Sequence, residues 1–203
     1  MFTKAQRHLS RRDPVLKRLI KQIGPCTLQH DPDGFGVLVR AIVSQMISSK
    51  AARAISGRLV EAIGELRPAN LLKAKEETLR GVGLSATKVH AMRDLAEKVQ
   101  SGAVPLDQLA EMPDEEVIAL LVPVRGIGRW TAEMFLIFSL GRFDVLPVGD
   151  FGLREGVRRQ YGLEEHPGKK ELVELAEPWR PYRSIATWFL WRSFGPVPQS
   201  EAE

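Results

Sequence analysis

At 203 residues, 44% of them hydrophobic, the chain is long enough for one large domain or two small lobes and too apolar to stay disordered. Lysine and arginine number 29 against 25 aspartates and glutamates, and the net charge of +4 suits a polyanionic partner without requiring one. The single cysteine, Cys26, excludes an intramolecular disulfide, an iron–sulfur cluster and any zinc site built from several thiolates.

Helical periodicity runs nearly throughout. Asp13-Pro14 supplies an N-cap and a first-turn proline, and Val15, Leu16, Leu19, Ile20 and Ile23 recur at helical spacing until Gly24-Pro25. A second helix starts near Phe35, carries Leu38, Val39, Ile42 and Val43, and breaks around Gln45 to Ser48. Ser48 or Ser49 caps the next, which ends at Gly64; Pro68 opens another that ends near Gly81. Ser85 caps a helix through Val89, Met92, Leu95 and Val99, and Pro113 opens one through Val117, Ile118 and Leu121. After a glycine turn, a helix runs from Arg129 to about Leu140, and residues 141–149 read as an extended loop. Asp150 caps a helix ending near Gly162, and two more cover roughly 168–178 and 182–194. No segment shows sustained period-2 alternation, so the fold class is all-α. The polar ends, 1–10 and 196–203, are expected to fray. No apolar run reaches the roughly 20 residues that span a bilayer, and Lys4, Arg7, Arg11 and Arg12 are not followed by a signal-peptide core. The expectation is a soluble, cytoplasmic monomer with no membrane contact.

Residues 121–131 read L-V-P-V-R-G-I-G-R-W-T. Gly126 and Gly128 lack Cβ atoms and so allow close backbone approach, and the helix that follows aims its first N–H groups into the turn. Together these suit a phosphate, with Arg125 and Arg129 beside it. Taken alone, the pattern also fits an ordinary helix–helix turn; Gly81-Val82-Gly83 is a similar element.

The continuation resembles the helix-hairpin-helix (HhH-GPD) DNA glycosylase superfamily. The match comprises G-I-G-R-W-T-A at 126–132, the loop G-R-F-D-V-L-P-V-G at 141–149, and Asp150-Phe151. It extends to R-A-I-V-S-Q-M-I-S-S-K-A-A at 40–52 and P-W-R-P-Y-R-S-I-A-T-W-F-L-W-R at 178–192, with Val124 where the family hairpin has leucine. The resemblance covers about residues 13–195. It implies a two-lobed helical fold with the active site in the cleft between lobes: 33–143, holding the hairpin at about 115–140, and 1–32 plus 144–203, carrying the catalytic aspartate. It also implies a monovalent cation, Na+ or K+, bound by the backbone carbonyls of Val122, Val124 and Ile127, and no cofactor for catalysis.

Breaking an N-glycosidic bond leaves positive charge on the deoxyribose, and a fixed carboxylate, ionised at neutral pH, stabilises it and orients a water. By the match, Asp150 is that group; a plain N-cap is the bland alternative, and the two roles can coexist. Asp144 suits a turn or hydrogen bond, and Arg180 and Arg183 suit helix termini or carboxylates. Superfamily members that cut the strand carry a lysine where this chain has Trp130, so the resemblance implies a monofunctional enzyme that leaves an abasic site. The tryptophan is typical of the 3-methyladenine glycosylase II branch, of which this looks like a compact form without the N-terminal β-containing domain.

A 3-methyladenine-type base is cationic, so an aromatic face attracts it and little acid catalysis is needed. By the match the pocket takes Trp188, Trp130 and Tyr182, while Trp179 and Trp191 read as core. A flipped base leaves a gap for a wedge, expected at Gln45, Met46 or Ile47. Gly126, Gly128, Arg125, Arg129, Thr131 and Lys50 are the expected phosphate contacts, with Arg53 a further cation nearby. The expected partner is double-stranded DNA containing alkylated bases, in base excision repair. A non-catalytic helix-hairpin-helix module, or a glycosylase for oxidised or mismatched bases, stays open as an alternative.

Overall fold

Five short polar side chains decide where helices begin. Asp13, Asp33, Ser48, Ser85 and Asp150 each turn an oxygen back onto a first-turn amide, satisfying groups that a helix start leaves unpaired. The structure, a computed structural model, describes residues 2–194. In chain order its helices are α1 (Phe2–Arg12), α2 (Pro14–Ile23), α3 (Gly34–Ser44), α4 (Ser49–Ile63), α5 (Pro68–Lys73), α6 (Glu76–Gly81), α7 (Ala86–Gln100), α8 (Asp114–Leu121), α9 (Arg129–Phe138), α10 (Phe151–Tyr161), α11 (Lys169–Leu175) and α12 (Arg183–Arg192). Among the described residues there is no strand, and no helix is long and apolar enough to cross a membrane. The chain forms two compact units: residues 31–135, and the residues up to 30 together with those from 136 onward. The sequence placed these passages at 33 and 143; the second falls inside α9.

In the 31–135 unit, α3 is buried nearly all round, with Leu38, Val39, Ile42 and Val43 inaccessible to solvent. It packs against α4 and α7, and α7 packs in turn on α5 and α6 through Val89, Met92, Leu95 and Ala96. The single helix expected after Pro68 is two. The chain turns extended at Ala74, and Arg93 Nη2 donates to the Ala74 carbonyl at 2.9 Å, so that group is paired despite the break.

In the other unit, α12 buries every residue from Ser184 to Trp191 and packs on α10, α2 and α1. The amino terminus, expected to fray from 1 to 10, is helical from Phe2, because Ala5 and Leu9 form an apolar stripe that packs α1 on α2. Residues 196–203 lie outside the described residues. Asp13 joins α2 to the core. Its Oδ1 accepts the Val15 and Leu16 amides at 2.8 and 3.0 Å, and its Oδ2 accepts Trp179 Nε1 at 2.9 Å and the Tyr161 hydroxyl at 2.5 Å. Burial, then the Asp13 carboxylate, pushes the Tyr161 phenol up, so it stays a neutral donor. Cys26 is buried, and its thiol is pushed up to about 11 by desolvation. Along α10, glycines at 152 and 156 meet α12 closely. A Cβ on Gly156 would sit 3.0 Å from the Leu190 carbonyl oxygen, and one on Gly152 would sit 3.1 Å from Trp191 Cδ1.

Candidate active site

The loop ahead of α10 is irregular but firmly held. Ser184 Oγ, at the start of α12, accepts the Val145 amide at 3.0 Å and donates to the Arg142 carbonyl at 2.7 Å, and the Ser184 amide donates to Phe143. Arg180 Nη1 and Arg183 Nε each reach the Asp144 carboxylate at 2.8 Å, so Asp144 is a structural anchor. The Asp150 amide then turns back to the Pro147 carbonyl at 2.8 Å, which sets Asp150 as the cap of α10.

Asp150 is 5% exposed. Its Oδ1 accepts the Leu153 amide at 2.5 Å and the Trp191 indole N–H at 2.7 Å. Two donors on one oxygen, one from its own helix and one from an indole, fix the carboxylate's orientation. The Trp191 ring stacks on Phe138, with centroids 6.0 Å apart and planes 16° from parallel. Phe151, the next residue, is 68% exposed and meets His166 edge-on.

Trp188, expected beside the base, instead sets its ring edge-on to Phe189 at 4.9 Å. Trp188 and Trp191 are each 2% exposed, so burial does not separate them; of the two, Trp191 is the one hydrogen-bonded to Asp150. Trp179 is core, bonded to Asp13. Tyr182 packs edge-on against His8. Trp130 is half-buried on the first turn of α9, in the other unit.

That unit holds the hairpin and the interrupted helix pair. After α8, the Val124 amide bonds Leu121 and the Ile127 amide bonds Val124, both at 3.0 Å, which winds the turn tightly. Gly126 sits at φ +77°, where L-residues are strained, and a Cβ there would lie 3.1 Å from Ala91 Cβ. At Gly128 a Cβ would meet no protein atom within 4 Å, so the protein's own packing does not demand glycine there. Thr131, in the first turn of α9, is buried. Lys50 and Arg125 are exposed. Arg129 also has carboxylate partners: its guanidinium meets Glu115 at 3.0 and 2.5 Å and Glu133 at 3.0 Å, which ties α9 to α8.

Between α3 and α4, Met46 is fully exposed (101%) at φ +60°, a conformation that costs a non-glycine residue on the order of 1–3 kcal/mol and needs support. Ile47 is 37% exposed. Gln45 is turned away, its Nε2 donating to the Gly126 carbonyl at 2.8 Å.

The sequence profile of the HhH-GPD superfamily of base excision DNA repair proteins matches residues 39–181. The chain belongs to this superfamily. DNA-3-methyladenine glycosylase 1 of Schizosaccharomyces pombe is 38% identical over 199 residues, covering 95% of this chain and 87% of the relative. Among solved structures, S. pombe Mag1 in complex with abasic DNA superposes with a TM-score of 0.84 at 36% identity, covering 94% of this chain and 96% of that one. The DNA-3-methyladenine glycosidase of Bacillus halodurans also gives 0.84, at 39% identity and 93% and 88% coverage. In this HhH-GPD protein, the family match singled out Asp150 in the sequence and Trp191 read as core, so the contact between the Trp191 indole and the Asp150 carboxylate was missed. The available signal was G-L-R-E-G at 152–156, two small residues four apart just after the aspartate, which mark the side on which another helix comes close.

Proposed function

We propose that this protein is a monofunctional DNA glycosylase that excises alkylated bases of the 3-methyladenine type from duplex DNA. The observation that carries the reading is the Asp150 carboxylate, held on one oxygen by the Leu153 amide and the Trp191 indole. As the C1′–N bond lengthens, the sugar gains positive charge, and a carboxylate already orientated stabilises it without reorganising. The same group directs water to C1′ and receives its proton. The methylated purine departs as a neutral base, because its positive charge already makes it a good leaving group. With tryptophan at 130 there is no lysine in the first turn of α9 to attack the sugar, so the product is an abasic site. Trp191, buried and stacked on Phe138, orients the carboxylate, and Trp130 and Tyr182 are the ring faces that the resemblance supplies for the base.

Met46 is the wedge in this reading, since it is the exposed tip and Gln45 is occupied at Gly126. The hairpin grips a phosphate through the backbone at Gly126 and Gly128 and the first turn of α9, with Arg125 and Lys50 adding charge. The Val122, Val124 and Ile127 carbonyls would hold a monovalent cation there. They are neutral, hard oxygen donors, and Val124 O keeps a lone pair after accepting the Ile127 amide, so the donor set fits Na+ or K+. Such an ion would neutralise phosphate charge.

Base release from methylated duplex DNA, measured for wild type and Asp150→Asn, tests the reading. The variant is expected to lose excision and keep its affinity for abasic duplex. Wild-type excision by Asp150→Asn would refute the mechanism.

A further inference from the structure

The wedge loop at 45–47 and the hairpin at 122–128 are remote in sequence, yet one helix touches both. Positions 88, 91 and 94 of α7 are three residues apart and so lie along one side of it. At one end, Lys88 Nζ donates to the Val43 carbonyl at 2.7 Å and the Gln45 carbonyl at 2.9 Å, where the ladder of α3 runs out. In the middle, Ala91 abuts Gly126. At the other end, Asp94 Oδ2 accepts the Arg125 amide at 2.7 Å, while its Oδ1 accepts Lys98 Nζ at 2.5 Å. The Gln45 side chain closes the ring by donating to the Gly126 carbonyl. All of these groups lie within the 31–135 unit. The residue they hold is Met46, fully exposed in a left-handed conformation that its own chain does not favour.

We propose that Lys88 is a positioning residue for base flipping. By capping the Val43 and Gln45 carbonyls from α7, it fixes the Met46 tip at a set spacing from the hairpin that grips the backbone. The inference rests on reading Met46 as the wedge and the hairpin as the phosphate grip. Lysine suits this role because an ammonium has three donors and no acceptor, and a four-carbon stem lets it reach from one helix into the end of another. Burial lowers the Lys88 amine, consistent with an ammonium that has exchanged water for carbonyls. The spacing is set by α7 itself, where Asp94 lies six helical steps beyond Lys88, about 9 Å of helix. Insertion therefore occurs at a fixed offset from the gripped phosphate.

The test compares wild type, Lys88→Met, Lys88→Arg and Met46→Ala on two DNAs. In one the methylated base is paired; in the other it lies opposite a mismatch, where unpairing costs less. Lys88→Met is expected to lose roughly tenfold or more in single-turnover excision of the paired base, and to lose much less on the mismatched one. Its affinity for abasic duplex should stay within about threefold, because the hairpin is intact. Lys88→Arg is expected to recover part of the loss. Should Lys88→Met fail to fold, Gln45→Ala cuts the same ring at the surface and is expected to show the same preference for the mismatched substrate. Equal losses on both DNAs, or no loss, would overturn the proposal. Wild-type excision of the paired base by Met46→Ala would overturn the wedge reading and this inference with it. An impaired Met46→Ala beside a normal Lys88→Met would overturn this inference alone.

Discussion

Asp150 Oδ1 takes one hydrogen bond from its own helix and one from another, and the two can be separated by substitution. Trp191→Phe keeps a ring against Phe138 but removes the indole donor. The expected cost is about 1–3 kcal/mol of stability, from a lost hydrogen bond and a smaller ring. Excision should fall by up to about 100-fold, because a slightly misplaced carboxylate stabilises the sugar poorly. Thermal unfolding and single-turnover base release would measure both, and an unchanged rate would make Trp191 merely core. Asp150 was legible in sequence because an aspartate opens a helix a fixed distance after a glycine hairpin. Trp191 was not. Three tryptophans crowd 179–191, and which one meets the carboxylate depends on how α10 and α12 pack, which no local pattern specifies.

Among the helices, the approach of α10 to α12 depends on absent side chains. Gly156→Ala would press a Cβ against the Leu190 backbone oxygen, which cannot move aside as a flexible side chain could. The helices must part, at an expected cost of about 1–3 kcal/mol, and excision should fall as Trp191 withdraws from Asp150. Gly57→Ala is the control. That glycine lies inside α4 with nothing within 4 Å of a Cβ, so alanine should stabilise by about 0.5–1 kcal/mol and leave excision unchanged. On α10, the buried Glu155 is bonded to Arg158, Arg159 and His166. Arg158 and then Arg159 hold its carboxyl far below the usual range, against the opposing effect of burial. A depressed folded value means that this contribution is complete above about pH 4.3, the unfolded glutamate value, and is lost as pH falls below it. Glu155→Gln should therefore lose less stability than wild type between about pH 5 and pH 3 in denaturant titrations. Helices with capping residues were readable from sequence. The break at Ala74 was not, since neither glycine nor proline marks it and Arg93, remote in sequence, satisfies the carbonyl it leaves. Nor was α1 readable as a helix, because its stripe of Ala5 and Leu9 has meaning only against α2.

Across the full chain, the division into two units has one boundary in the loop after Cys26 and one within α9, where composition gives no sign of a passage. Positive charge is also uneven. Lys4, Arg7, Arg11, Arg12, Lys17, Arg18 and Lys21 are all exposed on α1 and α2, where the only acidic residue is the buried Asp13. Affinity for undamaged duplex, measured by titration at several salt concentrations, should fall steeply as salt rises, in proportion to the phosphates neutralised. A flat salt response would argue against DNA as the partner.

The burial of Cys26 bears on self-protection. Methylating agents that create the proposed lesions also attack thiolates, and this chain owns one sulfhydryl. Burial pushes its ionisation up to about 11, so at neutral pH the group stays a thiol, beneath packed side chains. A cell under alkylation stress would thus keep this catalyst unmodified at its cysteine while the DNA around it accumulates damage.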